Sequence, residues 1–392
     1  MRDVNVAPYL AVSRTPRVPG FMLLMLLARI PATAAGMTVT MHVLLALERG
    51  YGAAGLVGAV STIGIAVGSP LMGHLVDRRG LRAMLAVSMV SEGVFWFVAP
   101  LLSYPVLLVM CFVTGITVMP VMSLGRQILT ALVPEDRRRT ALAMDSMAVE
   151  VAFMAGPALG VALTTQASSR TAMWAIGAAM VVFGAVLCLV NPPVKSEGES
   201  GERVPRREWL DGRLLGVLMS AGGATFVLSG VEVAVVASMR DLGLTGWTGA
   251  LVAVMCVSSL VGGFLYGGLN RVPPLWALMG GMGLLAVPIG LFGWSPWWLA
   301  VALIPTNFLC APTITATGEL ITKYAPASAR GVAMGLQGSA FTLGVAVGAP
   351  LTGVVIDHGG PGWGFAVAGA GAVAIAAGTE LLSRRPRPVP VG

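Results

Sequence analysis

Several ionisable residues of this 392-residue chain stand inside long apolar stretches, where charges are otherwise rare, among them Arg29, Glu92, Arg126, Glu150, Glu232 and Glu319. A carboxyl group that is removed from water disfavours its charged form, so it can exchange a proton near neutral pH. Ionisable side chains in such apolar surroundings also pair with one another and bind ions or polar ligands. The predicted chemistry is therefore proton exchange, ligand binding and charge pairing.

The residues that enzymes use lack the required spacing. Lys195 and Lys323 follow Val and Thr, whereas a nucleotide-binding loop places Gly before its Lys. The three histidines lie on separate segments, and neither a zinc-protease motif nor a nucleophile elbow occurs. The four cysteines fall in four different apolar runs without a CxxC pair. We therefore expect no enzyme activity, no metal site and no cofactor.

The composition places the chain in a membrane. Hydrophobic residues make up 56% of it and charged residues only 11%, against about 25% charged in ordinary globular domains. Most of its length falls into apolar runs of about 20 residues or more, enough for a helix to cross the hydrocarbon core. Strands of a membrane barrel would alternate instead. The sequence predicts an all-α membrane protein.

Helix-breaking residues between the apolar runs divide the chain into twelve predicted helices, which are numbered in chain order. Their predicted ranges are about 21–47, 53–75, 81–101, 105–132, 141–166, 170–190, 213–239, 247–269, 274–293, 297–322, 329–356 and 362–382. We expect a tail over 1–20, six-helix bundles over 21–190 and 213–382, a polar linker over 191–212 and a tail over 383–392. An even number of helices puts both termini on one side.

The basic residues predict which side that is. Of the 25 Lys and Arg, 20 fall in segments on the side of the termini, and only Arg49, Arg170 and Arg240 fall on the other. This asymmetry is typical of cytoplasmic loops. The net charge of +7 thus reports membrane topology, and we expect no nucleic-acid partner.

The two halves repeat. Adding 192 to first-half numbers takes Pro120 to Pro312, and it takes Gly156 to Gly348. Two parallel halves are an arrangement of secondary transporters, in which the substrate site lies near the bilayer midplane between the halves. Repetition therefore favours transport.

A short basic motif joins the predicted helices 2 and 3. It resembles the conserved loop motif of the major facilitator superfamily through Gly73, Asp77, Arg78, Gly80 and Arg82. The resemblance implies that the glycine packs on helix 11 and that the aspartate faces the amino end of that helix, where a carboxylate offsets the helix dipole. In that family the contact holds the cytoplasmic side shut.

The resemblance also implies that helices 1, 4, 7 and 10 line the cavity and that helix 3 is peripheral. Glu232 on helix 7 is then a candidate for contact with a proton or a cationic substrate, or an interface carboxylate near the outer surface. Glu150 on helix 5 binds a proton or substrate, or makes an interhelical hydrogen bond. Glu92 on helix 3 is expected to bond a neighbouring helix. Arg29 faces either the cavity or helix 5, and Asn307 is a candidate cavity contact.

Two further expectations concern moving parts. Gly156 and Pro157 resemble the helix 5 motif of antiporters, and with Gly348 and Pro350 on helix 11 they are candidate hinges. Arg126 and Glu319 fall near the cytoplasmic ends of helices 4 and 10, so we expect a salt bridge between them that closes the inner gate. The arginine that proton-coupled drug antiporters carry early in helix 4 is absent, which weakens that assignment.

The favoured function is proton-coupled export of a small, partly apolar compound, such as a drug or secondary metabolite, by alternating access. Uptake of a small metabolite by symport or facilitated diffusion is the alternative, and a transport-inactive receptor is a third. We expect a monomer in a bacterial plasma membrane, with a small-molecule substrate, a proton and the lipid bilayer as partners.

Overall fold

The computed structural model describes residues 7–195, 205–269, 271–292 and 295–383. Within these ranges it contains twelve helices that are long and apolar enough to cross a membrane. The termini before residue 7 and after residue 383, and the centre of the predicted linker, lie outside the described residues.

The spanning helices are numbered α1–α12, in the order of the sequence prediction. They are α1 (Val18–Leu45), α2 (Tyr51–Arg79), α3 (Leu81–Val98), α4 (Tyr104–Thr117 and Val121–Leu132), α5 (Arg138–Gln166), α6 (Ser169–Val190), α7 (Gly212–Asp241), α8 (Thr248–Gly267), α9 (Leu275–Ala286), α10 (Pro296–Phe308 and Cys310–Tyr324), α11 (Arg330–Gly359) and α12 (Pro361–Ser383). Short 3₁₀ turns extend α3 over Ala99–Leu101 and α9 over Val287–Phe292. Two short helices, Ala7–Ser13 and Arg206–Trp209, lie outside the spans, so the predicted tail and linker are partly helical.

Helix pairing repeats between the halves. α1 packs on α5 and α6, α2 on α4, and α3 on α6; in the second half α7 packs on α11 and α12, α8 on α10, and α9 on α12. Across the halves α2 meets α11 and α5 meets α8, which are again equivalent pairs. The sequence repeat is therefore a repeat of packing, and the prediction of twelve helices in two six-helix repeats is confirmed.

Helices α4 and α10 are interrupted, whereas the sequence analysis predicted both to be continuous. α4 breaks over residues 118–120 at Pro120, and α10 breaks at Leu309, three residues before Pro312. Proline lacks an amide hydrogen and its ring crowds the preceding turn, so both breaks have a local cause. The two prolines are partners in the repeat, so each half has one broken helix at an equivalent position.

Glu92 fills the gap left by the break in α4. Its Oε1 accepts the amide hydrogen of Met119 at 2.8 Å, and its neighbour Ser88 donates to the carbonyl of Thr117 at 2.7 Å. In a hydrocarbon environment each freed backbone group needs such a partner. The expectation that Glu92 bonds a neighbouring helix is confirmed.

The motif between α2 and α3 is not a loop. Asp77, Arg78 and Arg79 form the last turn of α2, and Gly80 alone connects the two helices with φ of 83°. A positive φ is readily adopted by glycine, which has no Cβ. The prediction of a charged loop was wrong in this respect, because the charges belong to a helix end.

Candidate functional site

Three charged side chains form a buried cluster between α1, α4 and α5. Arg29 Nη1 lies 2.7 Å from Asp145 Oδ1, and Arg126 Nε lies 3.4 Å from Asp145 Oδ2. The three side chains are between 0% and 4% exposed. Of the two orientations left open for Arg29, the structure shows the contact with helix 5. Two guanidinium groups share one carboxylate, so the cluster carries one surplus positive charge.

Glycine makes room for this cluster. A Cβ built on Gly125 would crowd the guanidinium of Arg29, with 2.5 Å to Nη2. Arg126 also lies across the boundary between the halves, because its Cζ is 5.3 Å from the centroid of the Phe341 ring on α11. Arg29 is thus enclosed by the first half, and Arg126 is covered by the second.

The predicted salt bridge between Arg126 and Glu319 is not formed. Glu319 on α10 instead pairs with Arg139 on α5, through Oε2 to Nε at 3.0 Å and Oε1 to Nη2 at 3.1 Å. Arg139 was predicted to lie in a loop, but α5 begins at Arg138 and carries Arg139 towards α10. This ion pair between Arg139 and Glu319, called the gate pair below after the role that the sequence analysis predicted, joins the two halves.

The Arg139 and Glu319 side chains are about 30% exposed, so their pairing can be tested by charge reversal. We expect Arg139→Glu and Glu319→Arg each to favour separation of α5 from α10, because like charges then face each other. The double reversal should restore the closed form. The readout is alkylation of Ser146→Cys, in a background whose native cysteines are replaced by alanine.

Ser146 suits this readout because it is 3% exposed and bonds Thr315 of the other half at 3.0 Å. Faster alkylation in both single variants and slow alkylation in the double variant is the expected pattern. Equal rates in all three would mean that the pair does not influence closure. Since half-exposed pairs contribute about 0–1 kcal/mol, we expect rate changes of several-fold rather than orders of magnitude.

A second contact between the halves lies where α2 meets α11. Asp77 accepts amide hydrogens from Gly331 at 3.1 Å and Val332 at 2.9 Å, at the amino end of α11. The first amides of a helix lack partners within it and carry partial positive charge, which a carboxylate stabilises. The contact that the sequence motif implied is therefore present in the structure.

Gly73 allows this approach. A Cβ built on Gly73 would overlap the backbone carbonyl of Gly331. One helical turn further along, Gly335 packs in the same way on the backbone of Ser69, and Ser339 donates to the carbonyl of Ala66. The end of the bundle that holds Asp77, Arg139 and Glu319 is called the basic end below, and α2 and α11 are in backbone contact there.

Glu150 on α5 reaches across to the second half. Ser259 on α8 donates a hydrogen bond to Glu150 Oε1 at 2.7 Å. Glu232 on α7 is exposed and stays a candidate for contact with a proton or substrate.

The remaining predicted site residues lie within the helix packing. Asn307 is 2% exposed and donates to the carbonyl of Leu303 in its own helix, so the expectation that it lines a cavity does not hold in this conformation. A Cβ built on Gly156 would overlap Thr33 of α1, and one on Gly348 would crowd Phe226 of α7. α5 and α11 run unbroken through Pro157 and Pro350, which stay candidate hinges.

The segment before α1 adds a contact that the sequence analysis did not foresee. Tyr9 stacks on Phe264 of α8 with ring centroids 4.8 Å apart, and its hydroxyl donates to the Phe264 carbonyl. Burial raises the pKa of Tyr9 to about 12, so the hydroxyl stays protonated and can donate at physiological pH. Arg137 supports the segment by bonding the carbonyl of Ala11 at 3.4 Å.

Comparison with known proteins decides the family. The family described as Major Facilitator Superfamily matches residues 21–271 and 214–392. The chain belongs to the major facilitator superfamily. One relative within the superfamily is the uncharacterized MFS-type transporter YtbD of Bacillus subtilis (strain 168), which is 24% identical over 91% of this chain and 89% of its own length.

Solved structures of superfamily transporters share the fold. A bacterial homologue of the iron transporter ferroportin, in an outward-facing state, superimposes with a TM-score of 0.73 at 15% identity, over 93% of this chain and 98% of the other. The proton:xylose symporter XylE superimposes with a TM-score of 0.69 at 15% identity, over 91% and 94%. Similarity at this level concerns the fold alone. The chain is a multi-pass membrane protein of a transporter family.

Several residues of the site were missed from the sequence. Asp145 lies in the same apolar run as Glu150, and the need of Arg29 and Arg126 for a counter-charge could have singled it out. Ser259 and Tyr9 gave no comparable signal, because an isolated serine or tyrosine beside a membrane helix is common. Among the described residues, no group of three His, Cys, Asp or Glu side chains is placed to hold a metal ion.

Proposed function

We propose that this chain is a proton-coupled exporter of a small, partly apolar compound and that it works by alternating access. In this proposal the bundles 21–190 and 213–382 rock against each other as a monomer in a bacterial plasma membrane. The basic end and both termini face the cytoplasm, as the distribution of Lys and Arg supports. The observation that carries the proposal is the hydrogen bond between Glu150 and Ser259 across the halves.

The bond between Glu150 and Ser259 links proton occupancy to movement. Glu150 lies within a spanning helix, where a proton relieves the cost of an isolated carboxylate. Its partner belongs to the other half, so separation of α5 from α8 removes the hydrogen bond and changes how firmly the proton is held. By reciprocity, taking up or releasing the proton shifts the equilibrium between the two conformations. A change at one carboxyl group can thus drive alternating access.

Export is favoured by the helix 5 motif. Gly156 brings α5 against Thr33 of α1, and Gly160 one turn further along lies against Thr38, so the glycine that resembles the antiporter motif is at a close helix contact. The fold does not fix direction, since XylE is a proton symporter. Uptake is the second candidate, because helix 4 lacks the arginine expected of proton-coupled drug antiporters.

The test is proton movement in proteoliposomes with a proton gradient, recorded as internal pH while candidate compounds are added. We expect compound-dependent proton flux in the native protein and its loss in Glu150→Gln. Glu92→Gln is the matched control, because its amide oxygen can still accept the Met119 amide hydrogen and the residue lies on peripheral α3.

Each outcome decides a different part of the proposal. Flux lost in Glu150→Gln and kept in Glu92→Gln supports proton coupling through helix 5. Compound movement without proton flux in all three proteins would exclude proton coupling and favour facilitated diffusion. Proton and compound moving in the same direction would support uptake and exclude export.

A further inference from the structure

The buried charge cluster has donors that nothing in the described part of the chain satisfies. Arg29 Nε and Nη2, Arg126 Nη1 and Gln127 Nε2 are buried and make no hydrogen bond there. Leaving such donors unpaired is costly, and more so when they carry charge. Unsatisfied donors around a surplus positive charge call for an anionic partner.

The two arginines are not equivalent in this respect. Asp145 lies 2.7 Å from Arg29 but 3.4 Å from Arg126, so it neutralises Arg29 more closely. The surplus charge therefore belongs mainly to Arg126. In this conformation the face of the Phe341 ring stabilises it in part, since an aromatic face attracts a guanidinium group.

That stabilisation depends on the basic end being closed. Phe341, whose ring faces Arg126, lies on α11. Gly318 lies on α10, and a Cβ built on it would be 3.8 Å from the Arg126 side chain. Both belong to the second half, whereas Arg126 belongs to the first. When the halves separate at the basic end, the ring leaves Arg126, and the guanidinium faces the space that opens while Arg29 stays behind it.

We propose that Arg126, backed by Arg29, forms a binding site for the anionic group of the transported compound, which it occupies when the basic end is open. The inference rests on the proposed transport function and names the substrate class: a small molecule with an apolar body and a carboxylate or phosphate group. Guanidinium groups bind such oxyanions through paired charge-assisted hydrogen bonds. Release follows as closure returns Phe341 to Arg126 and removes the space for the anion.

The probe is benzoate, compared with benzamide, which has nearly the same shape and no charge. Binding of each is measured by calorimetry on the full-length protein in detergent, without a membrane or a proton gradient. We expect benzoate to bind more tightly than benzamide, and Arg126→Gln to weaken benzoate binding by about tenfold or more while leaving benzamide unchanged.

Phe341→Leu keeps the test decisive if Arg126→Gln does not fold. Because leucine has no aromatic face to compete for Arg126, we expect this variant to bind benzoate several-fold more tightly than the native protein. A purely structural arginine pair would predict no such gain. Arg139→Gln, which weakens the gate pair without touching the cluster, should also strengthen benzoate binding by favouring the open form.

Equal binding of benzoate and benzamide by the native protein would overturn the anion site. So would unchanged benzoate affinity in a folded Arg126→Gln variant. Neither result would bear on proton coupling, which is measured separately as flux in proteoliposomes. Conversely, benzoate binding without any proton flux would keep the anion site and exclude the proposed coupling.

Discussion

Asp145→Asn is expected to destabilise the folded protein by about 3–5 kcal/mol, the range found when one partner of a buried ion pair is removed. The carboxylate is the single counter-charge that the cluster contains for Arg29 and Arg126, and all three side chains are almost fully buried. Without it, two guanidinium groups face each other in the first half. The measurement is unfolding by titration with a denaturing detergent, followed by size-exclusion chromatography.

Asp136→Asn is the matched control. Asp136 lies just before α5, its side chain is 76% exposed, and its distance to Arg137 is 3.9 Å, so its loss should have almost no effect. Adding Arg126→Gln to Asp145→Asn returns the cluster to one surplus charge, and we expect it to recover part of the lost stability. If Asp145→Asn unfolds like the native protein, the arginines are neutralised by some other group.

Gly73→Ala is expected to shift the protein away from the form that is closed at the basic end by roughly 5- to 150-fold. The added methyl group overlaps the backbone of Gly331, which cannot turn aside as a flexible side chain can. Overpacking of this kind costs about 1–3 kcal/mol, and it also pulls Asp77 away from the two amides of α11. Alkylation of Ser146→Cys measures the shift.

Gly58→Ala serves as the control on the same helix, because a Cβ built there meets nothing within 4 Å. We expect its alkylation rate to equal that of the native protein. Slow alkylation of Gly73→Ala as well would show that α2 and α11 can separate by a small amount without opening the basic end.

The sequence predicted what depends on local pattern. Long apolar runs placed twelve helices, and the motif around Asp77 predicted its contact with α11, because that contact is tied to a short fixed motif. Hydropathy and spacing are enough for these features, since each depends on residues close together in the chain.

Partner choice across helices could not be read in the same way. Arg126 and Glu319 occupy almost equivalent positions in the two repeats, yet each is paired with a residue of α5. The rotation of α5 about its axis turns Asp145 towards α4 and Arg139 towards α10. Rotation about a helix axis is set by packing of small residues such as Gly156 on α1. No spacing rule within one sequence carries that information.

The docking of Tyr9 on Phe264 places the helix Ala7–Ser13 at the seam between the halves. A group attached ahead of Ala7 is therefore carried by a segment that has to detach or shift when α5 and α8 separate. A bulky fusion partner attached there would act as a wedge and disfavour the form that is closed at the basic end. A small fluorophore at the same position would instead follow opening of the basic end directly.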